Sequence, residues 1–509
     1  MLAQVYAAAL HGLTGVPVAV EVDVGGGLPQ FNLVGLPDTA VREARERVRS
    51  AVKHAGFEFP DGRITANLAP ADLPKEGPAF DLALAVGILA AAGAVTLGEW
   101  AGTVFLGELS LDGSLRHVDG ILPLVSSLHT QGLKRFIVPA ANGAEAAWVR
   151  GADVHPLVSL TQVVEVLRGE REAVRMPSAE FKPESGPAAP DFAEVRGQEH
   201  AKRALEIAAA GGHNVYLVGP PGSGKTMLAR RLPSILPALT FEEALELSQI
   251  YSVAGLLNDS NSLITQRPFR APHHTISTAG LVGGGRLPRP GEITLAHLGV
   301  LFLDEFPEFS RSILEALRQP LEDGIVTISR AQASFTYPAR PLVVAASNPC
   351  PCGFFGDSSR ACTCTPYAIQ RYRARVSGPV LDRLDLHVEV PRVAYDDLAA
   401  SAAGTESSAA IRERVEAARD IQRARFAGSP TRCNAEMTPA ELARSCWLDK
   451  EGQALLRAAY TRLGLSARAH NRILKVARTI ADLAGTQHIA AEHVAEALQY
   501  RALDRAVEA

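Results

Sequence analysis

Cysteine is scarce in this chain, an excess of charge of either sign is absent, and no long apolar run occurs. The 509 residues include only 6 Cys, four of which crowd into positions 350–364, leaving Cys433 and Cys446 isolated. That pattern excludes a disulfide framework in a chain this long. Lys and Arg number 51 against 55 Asp and Glu, a formal net charge of −4, which excludes a protein that binds polyanions by bulk charge. Any nucleic-acid site must be a local patch. The longest run without Asp, Glu, Lys, Arg or His, Leu82 to Gly98, spans 17 residues rich in Ala and Gly. A spanning helix needs about 20 strongly apolar residues, so this run reads as a buried core helix. No basic residue precedes the apolar start and no clear cleavage site follows it, which implies a cytoplasmic protein without a membrane partner. No repeat at solenoid periods is evident.

What is present is an ordinary globular composition, 47% apolar and 21% charged. The length suggests about three lobes. Residues 169–190 carry Pro177, Pro183, Pro187 and Pro190 without an apolar period and read as a linker. Residues 1–168 mix alternating segments such as VPVAVEVDV with helical ones such as DTAVREARERVRSAVKHAG, an α/β or α+β domain. In residues 191–392 a helix (Gln198 to Ala210) leads to a strand at Asn214–Val218. Further short apolar strands at Val300–Leu303 and Leu342–Ala346 predict a parallel sheet wrapped on both faces. Residues 393–509 are helical throughout.

Gly219-Pro220-Pro221-Gly222-Ser223-Gly224-Lys225-Thr226 fits G-x-x-x-x-G-K-[ST], between a predicted strand and a predicted helix. Glycines let backbone N–H groups point at phosphate oxygens, and a helix N-terminus adds its positive dipole end. Lys225 can reach the β- and γ-phosphates of ATP, and Thr226 can offer a hydroxyl to Mg²⁺. The strand Val300–Leu303 ends in Asp304 and Glu305. A carboxylate at the C-terminal end of a parallel strand lies on the ligand side of such a sheet, so Asp304 suits the cation and Glu305 the attacking water. Asn348 ends the third strand, where its amide can orient that water.

The phosphate loop, the Asp304-Glu305 strand end, the Asn348 strand end and the helical third lobe resemble an AAA+ ATPase. Arg267-Pro-Phe-Arg-Ala-Pro-His-His274, Gly283-Gly-Gly285, Pro290-Gly-Glu-Ile-Thr-Leu-Ala-His297, Asn348-Pro-Cys-Pro-Cys-Gly353 and Ser377-Gly-Pro-Val-Leu-Asp-Arg-Leu-Asp385 narrow the resemblance to the magnesium-chelatase-like YifB/ComM family. Asn67-Leu-Ala-Pro-Ala-Asp-Leu-Pro-Lys-Glu-Gly77 extends it to the N-terminal domain. The resemblance implies a P-loop AAA+ parallel-sheet core with a C-terminal helical lid, assembled as a homo-hexameric ring motor with ATP bound between subunits. It implies that Arg383 reaches a neighbour's γ-phosphate and that Arg468 senses the same phosphate within its own subunit. A guanidinium suits both roles because it presents a fixed fork of donors.

Three segments contain no acid. Residues 267–291 hold Arg267, Arg270, Arg286, Arg289, His273 and His274; residues 325–341 hold Arg330 and Arg340 and alternate like a hairpin; residues 360–376 hold Arg360, Arg371, Arg373 and Arg375 with Tyr367 and Tyr372. Basic side chains track phosphates and aromatic rings stack on bases. In related motors the first two segments look like the pore-lining insert and hairpin, which makes Arg286, Arg289 and Arg330 the candidate contacts to single-stranded or branched DNA. Cys350, Cys352, Cys362 and Cys364 form two pairs that suit either one structural Zn²⁺ or a set of reduced thiols in a loop.

Residues 74–122 resemble the Lon peptidase domain, which needs a Ser nucleophile and a Lys base. Ala79 stands at the Ser position and Leu122 at the Lys position. The resemblance therefore implies a Lon-protease-like α+β fold without hydrolysis. The leading expectation is an ATP-driven hexameric DNA helicase that promotes branch migration during natural transformation. A chelatase-type metal-insertion or protein-remodelling motor is the alternative.

Overall fold

A computed structural model of the chain describes residues 1–182, 190–257, 262–285, 289–329, 334–357, 359–393, 405–463 and 465–501. Arg286 and Arg330 lie outside the described residues. The chain divides into two compact units, one of residues 1–182, 241–265 and 331–335, the other of residues 183–240, 266–330 and 336–509.

In the first unit, strand β1 (Leu2–His11) forms an antiparallel hairpin with β2 (Thr14–Gly25), running from Leu2 opposite Asp23 to His11 opposite Thr14. Strict alternation along β2 sends Val18, Val20 and Val22 into the core, each fully buried. With β3 (Gln30–Val34), β4 (Arg63–Ala69), β5 (Val104–Phe105), β6 (Arg135–Pro139) and β7 (Asp153–Leu157) they make a mixed seven-stranded sheet ordered β3-β4-β2-β1-β5-β6-β7. The uncharged run becomes the helix Asp81–Ala91, ten of whose eleven residues are buried. It packs on β1 and β2 and on the helix Thr39–His54, whose N-cap Asp38 accepts the Val41 N–H at 2.7 Å. Among the described residues no helix is long and apolar enough to cross a membrane.

Residues 241–265, which the sequence reading takes as part of the ATPase core, belong to this first unit. The helix Phe241–Val253 lies against the helix Ile121–Thr130, and the Ser252 hydroxyl donates to Glu145 at 3.1 Å. The partners of this helix stand more than a hundred positions earlier, and no local pattern reports them.

The second unit is built on a parallel sheet of β8 (Val215–Val218), β9 (Phe269–Arg270), β10 (Val300–Leu303), β11 (Leu342–Ser347) and β12 (Leu386–Glu389), ordered β9-β10-β11-β8-β12. Val215 pairs with Val344 on one side and Leu386 on the other, so β8 sits between strands remote in sequence. That places its C-terminal end at a topological switch point, where such sheets bind ligands. The helix Glu199–Gly211 is Ala-rich and buried along most of its length. Its small side chains allow close approach by β12 and by the helices Ser408–Arg425 and Ala467–Leu483. One apolar core therefore runs from Val215 and Leu217 to Ile473 and Ile480. The C-terminal helices are part of this unit, so the chain has two compact units where its length suggests three. Asp385, at the start of β12, ties the two parts together by accepting from Arg472 at 2.8 Å and meeting His213 at 3.2 Å. Burial pushes the Asp385 carboxyl up, but Arg472 and His213 outweigh it and hold it well below the usual carboxylate range.

Candidate functional site

The loop 219–224 leaves the central strand β8 and enters the helix Lys225–Arg231. Two of its glycines are dictated by geometry. Gly224 has φ +94°, a left-handed conformation that a side chain disfavours. At Gly219 a Cβ would lie 2.1 Å from the Val390 carbonyl oxygen, so only hydrogen fits. Lys225 Nζ donates to the Gly219 oxygen at 2.7 Å and the Pro220 oxygen at 2.9 Å, and reaches Asn348 Oδ1 at 3.4 Å. Burial pulls the Lys225 ammonium below the ordinary lysine range, and Asp304 works against that shift. The Thr226 hydroxyl donates to Asp304 Oδ2 at 2.8 Å. The two oxygen ligands expected for Mg²⁺ are thus adjacent, as a hard cation requires. The Ser223 hydroxyl is buried without a hydrogen-bond partner. An orphaned donor, a loop too tight for side chains at Gly219 and a paired oxygen ligand set all fit a bound nucleotide with its cation. Lys225, Thr226, Asp304 and Asn348 meet at the ends of β8, β10 and β11.

Glu305 departs from the simple expectation. Its backbone adopts φ +52°, a left-handed conformation costing about 1 kcal/mol for a residue with a side chain. Its carboxylate pairs with His274 Nδ1 at 3.1 Å. His274 therefore holds the candidate base, although the sequence reading groups it with the basic segment 267–291. Nothing in the spacing of the two residues announces the contact.

The two arginines assigned to the γ-phosphate converge. The Arg383 guanidinium is buried and donates to Glu322, while its Nε has no hydrogen-bond partner. Burial lowers its pKa, opposed by Glu322. Arg468 is exposed and lies 3.5 Å from the same Glu322 carboxylate. Both guanidinium groups therefore meet one carboxylate, Glu322.

The basic segments are partly neutralised. Arg270 makes a bidentate pair with Glu292 at 2.6 Å, Arg375 pairs with Glu308 at 2.6 Å, and Arg340 with Glu436 at 3.4 Å. Arg267 donates to the Pro237 and Leu298 carbonyls at 2.6 and 2.7 Å, bracing the backbone. Tyr372 is buried and cannot stack on a base here, whereas Tyr367 is 72% exposed. Arg289 is exposed in a short ribbon that pairs Gly284 with Arg289. The acids that supply these partners lie outside the acid-free segments, and two of them, Glu308 and Glu436, stand 67 and 96 positions from the arginine they meet.

The four clustered cysteines are reduced, and their sulfurs all lie within 4.8 Å of one another. So close a set of thiols cannot ionise together. The Phe354 and Thr363 N–H groups favour the Cys352 thiolate, which falls to about 5. The Cys364 N–H favours the thiolate of Cys362, but burial and the neighbouring sulfurs push that thiol up to about 12. In the first unit, Ala79 and Leu122 are both buried in the apolar interior.

Comparison with known proteins shows the family of the chain. A family model described as magnesium chelatase, subunit ChlI, matches residues 191–398; a second, subunit ChlI of Mg-chelatase, matches residues 20–142; a third, its C-terminal part, matches residues 405–501. Competence protein ComM of Haemophilus influenzae is 47% identical over 516 residues, covering 100% of this chain and 99% of that protein. The uncharacterized protein YifB of Salmonella typhimurium is 45% identical over 99% of this chain and 98% of its own length. The chain belongs to the YifB/ComM family. Lon protease 2 of Bacillus subtilis is 32% identical over 157 residues, 28% of this chain and 27% of that protein. The YifB/ComM family is a group of magnesium-chelatase-like AAA+ ATPases, which implies ATP and Mg²⁺.

Proposed function

We propose that this protein hydrolyses ATP to drive a homo-hexameric ring along single-stranded or branched DNA, promoting branch migration while transforming DNA is integrated. The observation that carries the reading is the His274–Glu305 pair: a residue of the candidate DNA segment holds the candidate base of the ATP site. The full-length relative named a competence protein supports the biological setting.

ATP with Mg²⁺ supplies the phosphoanhydride whose cleavage drives the motor. Lys225 holds the phosphates by exchanging its loop carbonyl partners for charged oxygens, and Thr226 with Asp304 holds the cation. Asn348 orients the attacking water, and Glu305 accepts its proton once the carboxylate has left His274. Arg383 leaves Glu322 to stabilise negative charge on a neighbouring subunit's phosphate, and Arg468 leaves it to sense the γ-phosphate within its own subunit. Arg286, Arg289 and Arg330 remain the candidate contacts to the nucleic acid. ATP hydrolysis measured with and without single-stranded and branched DNA at two salt concentrations tests the reading. Stimulation that fades with salt is expected.

The three chelatase-subunit matches favour a second reading, a metal-insertion or protein-remodelling motor. Hydrolysis unmoved by any DNA would select it.

A further inference from the structure

Among the described residues, the four clustered cysteines are the one group of His, Cys, Asp and Glu side chains close enough to hold a metal ion, and the ATPase reading leaves them unused. Cys350 and Cys352 follow β11 directly beyond Asn348, and Cys362 and Cys364 lead into the helix Pro366–Arg373. The Cys350 sulfur lies 3.4 Å from that of Cys352 and 3.7 Å from that of Cys362, and the last two are 3.6 Å apart. A tetrahedral zinc with Zn–S bonds of about 2.3 Å has edges of about 3.8 Å, so these three separations are those of ligands around one ion, and the Cys364 sulfur lies within 4.8 Å of the other three. They are too short to surround a multi-iron cluster, whose cage would have to fit between them. The backbone contributes as well. The Cys352 N–H donates to Cys364 Sγ and the Cys364 N–H to Cys362 Sγ, both at 3.4 Å. Such bonds orient sulfur lone pairs and favour thiolates, the supporting interactions a metal ligand needs. The Arg360 guanidinium stacks over Phe354 at 4.4 Å inside the same loop, closing it from a second direction.

We propose that Cys350, Cys352, Cys362 and Cys364 bind one structural Zn²⁺, and that this ion braces the nucleotide pocket from behind. The bracing follows from what the loop touches. Gly353 backs onto the phosphate loop so closely that a Cβ there would lie 2.6 Å from Pro221 Cδ. Arg373 Nε donates to the Pro349 carbonyl at 3.3 Å, tying the far end of the loop to the residue after Asn348. Pro221 belongs to the phosphate loop and Pro349 directly follows Asn348, so the functional consequence rests on the nucleotide-site reading while the metal site does not. Four thiolates and one Zn²⁺ carry a net charge of −2, and each thiol that binds gives its proton to solvent. The ion itself touches no nucleotide and enters no chemical step.

The full-length protein, purified without a metal-affinity tag and under reducing conditions, is analysed for metal by plasma mass spectrometry. About one zinc per chain is expected, released by a mercurial and counted colorimetrically. Replacement by Co²⁺ should give the intense visible bands of a tetrahedral four-sulfur site. Cys362→Ser and Cys352→Ser should each lower the zinc content to below about a fifth of the parent. The wild-type metal count and cobalt spectrum stand even if those variants fail to fold. Absence of zinc from protein grown with ample metal, together with a Co²⁺ spectrum lacking thiolate-to-metal bands, would overturn the site. Stripping the zinc should weaken binding of a fluorescent ATP analogue roughly five-fold, since a displaced pocket loses orientation. Unchanged affinity after stripping would overturn the bracing role and leave the ion. A zinc-loaded protein that binds no nucleotide at all would instead overturn the ATP reading.

Discussion

Lys225→Met tests how the phosphate loop stores its lysine. The ammonium is satisfied by the Gly219 and Pro220 carbonyls at 2.7 and 2.9 Å, with Asn348 Oδ1 at 3.4 Å. Binding therefore exchanges neutral acceptors for phosphate oxygens. A hydrogen bond to a charged partner contributes about 1.5–3 kcal/mol against about 0.5–1.5 for a neutral one, so each exchange gains about 1 kcal/mol. Two exchanged bonds give about 2 kcal/mol, and the variant should bind ATP about thirty-fold more weakly. The same substitution strands acceptors at a residue that is only 8% exposed, so the free protein should also lose about 1–3 kcal/mol. Fluorescence anisotropy with a labelled ATP analogue reads the first quantity and thermal unfolding without nucleotide the second. An affinity within two-fold of the parent would refute the exchange. An unmoved melting temperature would refute the stored hydrogen bonds.

Glu305→Gln should keep ATP affinity while turnover falls about 10²- to 10⁴-fold, the range of a lost general base, in a single-turnover assay. His274→Ala should free Glu305 and raise hydrolysis without DNA by roughly two- to five-fold, the worth of an exposed ion pair of up to about 1 kcal/mol; a fall would mean that His274 aids the reaction. Arg383→Ala mixed with wild-type subunits should depress activity more than in proportion to the mutant fraction, whereas Arg468→Ala should lower it in proportion. More than proportional loss for Arg468→Ala would overturn its role within its own subunit. The Asp385 carboxyl titrates lower in the folded than in the unfolded chain. It therefore stabilises the fold above the ordinary carboxylate range, and that contribution drains away as pH falls below about 4. Asp385→Asn should lower the melting temperature at neutral pH and flatten its decline in acid.

Short-range features are legible in the sequence. The phosphate loop, the strands ending at Asp304 and Asn348 and the buried helix within Leu82–Gly98 all follow from patterns of a few residues, because backbone geometry at a tight loop or a strand end restricts which side chains fit. Charge is legible only in part. Residues 267–291 contain no acid, yet Arg270 finds Glu292 one position beyond the segment.

The sequence by itself determined the chemistry carried by Lys225, Thr226 and Asp304 and the two-pair spacing of the cysteines, since both are written into neighbouring positions. Tertiary structure alone decided that Glu305 rests on His274, that Arg383 and Arg468 share Glu322, that residues 241–265 join the first unit, and that four sulfurs close to within 4.8 Å. The reason is physical. A pair separated by 61 positions, such as Arg383 and Glu322, meets only when burial of a common core offsets the entropy of closing the chain between them, and that core belongs to the whole fold.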